Sequence, residues 1–243
     1  GALIGAVLTM AALVLALRTV LERAIGLDGP SFTSVFQGAT RWNTFVALAV
    51  AGSLFGPRGV ALMAVAIAAM VPLLNVLALY VFVRFAGGPR QSAGQIARTF
   101  ATNPFIWSCA VGLVLNAAGP LLPKPLLAAV DVLGRAALSA GLLVVGASLD
   151  LRSLARPGPA HAVATALKLL LMPVLAAALA RGLGVGGADL AVAIVAASVP
   201  TASASYILAR QLGGNAPLMA EILTLQTLLA MATMPLAIGL LAT

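Results

Sequence analysis

Apolar residues along this chain neither alternate with polar ones nor recur at one helical face; they run together in long blocks. The blocks cover residues 2–20, 32–55, 59–84, 100–119, 126–149, 161–181, 189–211 and 217–241. Wound as a helix, a block of about 20 residues crosses the hydrocarbon core of a bilayer. Eight crossings are predicted. Barrel strands would show alternation, so the pattern predicts a helical bundle. The joints carry turn residues: Gly29 with Pro30, Gly56, Pro57 and Gly59, and Gly87, Gly88 and Pro89. Further joints are Pro120 with Pro123 and Pro125, Pro157 to Pro159, Gly182 to Gly187, and Gly213 with Gly214. None has room for a soluble domain.

Two blocks are interrupted at mid-length. Residues 189–214 read DLAVAIVAASVPTASASYILARQLGG, with Pro200 in a cluster of small and hydroxyl residues. Proline removes a backbone donor and clashes with the preceding turn, so the helix should break there. Lipid offers no partner to the freed groups, so such a break persists only inside protein or beside a wet cavity. An internal echo points to a second break. LFGPRGVALMA (54–64) resembles LGGNAPLMA (212–220), and superposing Met63 on Met219 sets Asn43 and Thr44 opposite Val199 and Pro200. An odd number of crossings separates each block from its copy, so the two run in opposite directions. Inverted repeats with one broken helix in each half are a recurring transporter plan, with the substrate site at mid-depth where the breaks meet.

Composition agrees with the membrane reading. The chain is 62% hydrophobic and 8% charged, with a mean hydropathy of +1.11; a soluble domain is about 25% charged. Cys109 stands alone, which excludes an internal disulfide and a multi-Cys metal site. The net charge of +8 raises nucleic acid as a partner, but the basic residues are spread thinly between apolar blocks, where topology explains them. One side holds Arg18, Arg23, Arg84, Arg90, Arg98, Arg152, Arg156 and Arg210; the other holds Arg58, Lys124 and Arg181. The positive-inside rule makes the first side cytoplasmic and places both ends, including the C-terminus, outside. Gly1 opens directly in an apolar run with no signal-peptide pattern, and the expectation is a chain whose start is missing.

Arg41, in GATRWNTFVAL, lies about 15 Å into its block, near mid-bilayer. Two readings fit it: attraction of an anion, or satisfaction by carbonyls freed at the break. Asn43 and Thr44 at the first break, and Thr201, Ser203 and Ser205 at the second, can hold backbone groups or a ligand. Each broken block starts a new helix at its break, and helix N-termini carry free N–H groups and partial positive charge. Two such ends meeting beside Arg41 make a site for an anion. Lys168, in LKLLLMP, either attracts substrate or snorkels to the cytoplasmic side, the preferred reading. Asp131 and Arg135, four apart, are expected to pair, and Glu221 to suit the dipole of the last helix. Asn75, Asn116, Gln226 and Thr227 read first as interhelical hydrogen bonders, with Asn75 a secondary site candidate. His161 stands alone in a loop, so it supports neither a metal cluster nor a base for Ser148 in GASLD. No HExxH, paired membrane aspartates or phosphate loop is present, and neither an enzyme nor a cofactor is expected.

The strings RWNTFVALAVAGSLFG, NPFIWSCAVGLVLN, LLVVGASLDLRSL, LKLLLMP and VPTASASYILARQLGGNAPLMAEILTLQTLLAMATMP resemble the bacterial branch of the auxin efflux carrier family, over essentially the whole chain. The resemblance implies an all-α polytopic membrane protein of ten helices in two inverted five-helix repeats, with the fourth and ninth broken and crossing. Eight of the ten are present here, so the first two scaffold helices are missing. Residues 1–99 then form an incomplete N-terminal repeat with its crossover at 32–55, and 100–243 a C-terminal repeat with its crossover at 189–211. The crossing points fall at Arg41 to Thr44 and at Val199, Pro200, Thr201 and Ser203. The implied activity is secondary transport of a small organic anion, a carboxylate, by elevator-like alternating access in the bacterial inner membrane. A homodimer through the scaffold of the full-length protein is also implied. The rival readings are a channel for ions or neutral solutes and a non-transporting membrane scaffold.

Overall fold

An apolar chain in a membrane must satisfy its backbone from within, and helix is the regular structure found among the described residues. The computed structural model describes residues 1–87, 104–117, 123–149 and 157–242, with positions 94, 98, 101 and 151. Gly88, Pro89, Arg90, Pro120, Arg152 and Arg156 lie outside the described residues, as do the side chains of Cys109, Asn116 and Lys124.

The first block forms α1 (Ala2–Ala16) and, after a 48° bend, α2 (Arg18–Ile25). Next comes α3 (Gly29–Thr40), started by Pro30 in its first turn and by Asp28, whose side chain accepts from the Ser31 N–H at 2.9 Å. α4 (Thr44–Phe85) follows a three-residue gap and is interrupted at Gly56, which has φ 59°. Only a residue without a Cβ takes that conformation readily, and Pro57 then opens a new helical run. The chain folds back here: a Cβ on Gly59 would lie 2.2 Å from the Ala51 carbonyl oxygen, where a straight helix would separate the two by about 12 Å. α5 (Pro104–Ala117) and α6 (Lys124–Ala147) both pack against α4.

α7 (Pro159–Ala166) runs through a π turn, Leu167–Leu171, into α8 (Met172–Gly182). α9 (Gly187–Ser198) and α10 (Ala204–Leu212) flank a second gap, and α11 (Ala216–Leu241) closes the described chain. By length and composition, four stretches among the described residues suffice to span a membrane, five if α1 and α2 count together. The eight blocks read from hydropathy are distributed differently. Gly29–Phe85 is one stretch that contains both a gap and a reversal, α9 and α10 are each too short alone, and α5 has 14 residues.

The two half-helices that precede the gaps occupy the centre. Every residue of α3 from Phe32 to Thr40 and of α9 from Leu190 to Ser198 is buried. A helix buried all round must be apolar all round or have its polar groups bonded. Gln226 on α11 performs that bonding: its Oε1 accepts from the Thr201 N–H at 3.0 Å, and its Nε2 donates to the carbonyls of Gly38 and Ala164 at 3.0 and 3.2 Å. Gly38 permits the approach, since a Cβ there would lie 2.9 Å from Ile222. Gln226→Ala leaves one buried N–H and two buried carbonyls without that partner, at about 1–3 kcal/mol each. The expected outcome is a drop of at least about 6 °C in the thermal midpoint in detergent. Thr227→Ala, which removes only a bond back to the Leu223 carbonyl, should shift it by less than about 2 °C.

Candidate functional site

The first gap, residues 41–43, lacks the proline that opens the second. Arg41 and Asn43 are both extended, with ψ of 162° and 102°. Asn43 restarts the helix: its Oδ1 accepts from the N–H groups of Phe45 and Val46, both at 3.2 Å. Its own N–H donates at 2.8 Å to the carbonyl of Pro200, in the other gap. The two breaks therefore touch, main chain to main chain.

The second gap spans Val199 to Ser203. Thr201 is fully buried, and its hydroxyl donates at 3.1 Å to the Gln37 carbonyl while its N–H goes to Gln226. Ser205, also fully buried, lies 3.5 Å from the Thr201 hydroxyl, and its carbonyl accepts from Gln37 Nε2 at 3.3 Å. These groups, with the Pro200 carbonyl, knit the crossing together, and Val199 is buried beside Pro200 in the same gap. Gln37, which sequence reasoning did not single out, completes this set; as a polar residue one turn before Arg41 it carried a faint signal.

Beside the crossing is a cavity of about 190 Å³, with Arg41, Trp42, Thr44, Asn75, Ala202 and Ala204 on its wall and Val71, Leu74 and Leu208 supplying apolar surface. Thr44 and Ala204 are the first residues of α4 and α10, so two helix N-termini face this space. Arg41 donates through one terminal nitrogen to Asn75 Oδ1 at 3.2 Å. Its Nε, Trp42 Nε1 and Asn43 Nδ2 are buried and have no protein partner, and neither has Ser203 Oγ. Three successive residues thus hold unused buried donors. Trp42 was missed from sequence; its signal is a tryptophan at mid-block, away from the interfacial belt where Trp concentrates.

A second, smaller cleft of about 10 Å³ also has Trp42 on its wall, with Thr40, Lys168, Ala196 and Ala197. Lys168 is 1% exposed, so its ammonium stays in the core and does not snorkel. His161 is corrected: Pro159 starts α7, which places His161 in a helix, and it is not alone. Its Nδ1 accepts from the Gly158 N–H at 3.0 Å, and its Nε2 meets Glu221 Oε2 at 2.5 Å. Asp131 and Arg135 pair on an exposed helix face. Arg18 and Arg84 both stack on Phe85, at 4.5 and 5.4 Å, while Arg58 binds Asp189 at 3.1 Å.

The family model described as "Membrane transport protein" matches residues 89–238. The "Putative malonate transporter" of Rhizobium meliloti (strain 1021) is 33% identical over 156 residues, covering 61% of this chain and 48% of that protein. The chain thus spans about half the length of the curated relative it matches. With its apolar helices and a match over more than half its length, the chain is a multi-pass membrane protein that belongs to the membrane transport protein family, the auxin efflux carriers.

Proposed function

We propose that this chain carries the substrate site of a secondary transporter for a small organic anion, a carboxylate, bound in the cavity beside Arg41 and moved by elevator-like alternating access. The observation that carries this reading is the pair of unpartnered buried donors on Arg41 and Trp42, both of which line the cavity, with a third on the adjoining Asn43. Buried donors without acceptors are costly, and an anion bridging them removes that cost. The N-termini of α4 and α10 favour the same sign of charge. Size fits as well. A cavity of about 190 Å³ holds a small carboxylate, given about 30 Å³ per water, and falls short of a drug-sized pocket. The name of the Rhizobium relative supports a dicarboxylate such as malonate as the first substrate to test. A permease, not an enzyme, follows from the same reading.

Within this proposal, Asn43, Thr44, Val199, Pro200, Thr201 and Ser203 form the crossing point with Arg41, and Asn75 and Ser205 support it. The two crossovers belong to inverted repeats, 1–99 and 100–243. The side with Arg18, Arg84 and Arg210 faces the cytoplasm of a bacterium, which leaves the C-terminus outside the inner membrane. A homodimer forms through the scaffold of the full-length protein.

Saturable uptake of labelled malonate into proteoliposomes, with counterflow, tests the reading; current without counterflow would identify a channel, and neither activity a scaffold. Arg41→Ala removes charge-assisted bonds worth about 1.5–3 kcal/mol and should weaken malonate binding about 10- to 100-fold. Unchanged affinity would remove Arg41 from the site. Asn43→Ala is a poor probe, because the side chain also caps α4. Asn43→Asp keeps the capping oxygen, loses the free amide donor and adds a negative charge. The expected result is a thermal midpoint within about 3 °C of wild type and malonate affinity at least about tenfold weaker.

A further inference from the structure

The sequence holds one histidine, His161, and both of its ring nitrogens are engaged. Nδ1 receives the Gly158 N–H at 3.0 Å. A main-chain amide can only donate, so Nδ1 carries the lone pair and the ring proton sits on Nε2, 2.5 Å from Glu221 Oε2. One ring thus has two tasks. Through Nδ1 it supplies the return half of a capping box, in which a side chain of the first turn holds the N–H of the residue before the helix. Through Nε2 it ties α7 to α11. One turn further in, the same two helices meet again where Gln226 Nε2 donates to the Ala164 carbonyl.

The elements packed against α7 are α3, the π turn and α11. α3 has no titratable side chain from Gly29 to Thr40, and its cap Asp28 is bonded to Ser31. α11 brings Glu221 alone. The π turn brings Lys168, about 10 Å further along the helix axis. Asp150, Arg152 and Arg156 lie outside the described residues. Among the described residues, Glu221 is therefore the charge that faces the ring.

We propose that His161 is a pH switch for the start of α7. When neutral, it holds both Gly158 and Glu221. A second proton can enter the ring only at Nδ1, and the imidazolium then has two N–H groups and no acceptor for Gly158. The Gly158 N–H is displaced, while the bond to Glu221 becomes an ion pair and persists. The Glu221 side chain is 27% exposed, so the proton can arrive from water. Acid thus frees Pro157 and Gly158 and leaves α7 tied to α11. Those two residues form one wall of an apolar cleft of about 400 Å³, with Ala162, Thr165, Leu225 and Leu229. The switch alters that wall without disturbing Gln226 or the two gaps, and it is independent of what the cavity beside Arg41 binds.

Histidine labelled at its ring nitrogens gives the NMR signals of a single ring, read in detergent with no carboxylate added. At about pH 8 these should show a bare Nδ1 and a protonated Nε2, and at about pH 5 two protonated nitrogens. Over the same change the Gly158 amide should exchange with deuterium at least about tenfold faster, after correction for the intrinsic effect of pH on exchange. His161→Gln keeps an acceptor for Gly158 that takes up no proton, so its Gly158 amide should be equally protected at both pH values. A proton on Nδ1 at about pH 8, or a ring still neutral at about pH 5, overturns the proposal. So does Gly158 protection that ignores the second proton, or an acid-induced loss that persists in His161→Gln. If His161→Gln does not fold, the two wild-type measurements decide alone.

Discussion

A single main-chain hydrogen bond, from the Asn43 N–H to the Pro200 carbonyl at 2.8 Å, joins the two places where helices stop inside this bundle. Helix interrupted in an apolar medium leaves donors and acceptors that no lipid can satisfy. Each gap here supplies part of what the other lacks. Thr201 gives its hydroxyl to the Gln37 carbonyl at the end of α3, and Gln37 returns its amide to the Ser205 carbonyl at the start of α10. Gln226 then ties Thr201, Gly38 and Ala164 from a third helix. The breaks are stable because they are paired, and neither would persist alone.

Pairing also sorts charge. Two half-helices end at the crossing and two begin there, so the negative ends of α3 and α9 gather near Lys168 and the positive ends of α4 and α10 near Arg41. Trp42 lines both spaces. The polar groups consumed by the crossing are mostly acceptors: the carbonyls of Gln37, Gly38, Pro200 and Ser205 all receive bonds. Those left over on Arg41, Trp42 and Asn43 are donors, while Gln37 Oε1 and the Ser203 hydroxyl are also without a protein partner. Under the proposed function, that excess of donors is what an anion would answer.

The parts of this arrangement that were legible in sequence are those with a local cause. Pro200 announced its break because a missing N–H is a property of the residue itself. The break at 41–43 was visible only through its echo of the later block, since no residue there forbids helix; Asn43 caps the next helix, and the bond to Pro200 holds the gap open. Lys168 was misjudged because snorkelling is inferred from distance to a helix end, whereas the π turn and the half-helix ends beside it are set by tertiary packing. His161 was assigned to a loop because Pro157, Gly158 and Pro159 look like a turn; Pro159 is instead the first residue of a helix. The partner Glu221 is 60 residues away, beyond any local signal.

Under the proposed function, Arg41 is the member of the crossing whose bonding an arriving anion changes most cheaply. Its protein hydrogen bond runs to Asn75, a neutral amide oxygen in the later part of α4, at 3.2 Å. A carboxylate is the stronger acceptor for a guanidinium, so under the proposed function an anion takes the place of Asn75 at Arg41. Thr201, Gln37 and Gln226 hold main-chain groups that an exchange would expose, so they stay in place. Under the proposed function, then, the anion is read by side chains at the rim of a fixed backbone crossing. Any larger movement must carry that crossing as one unit, because opening it would strand its carbonyls and amides in a dry interior.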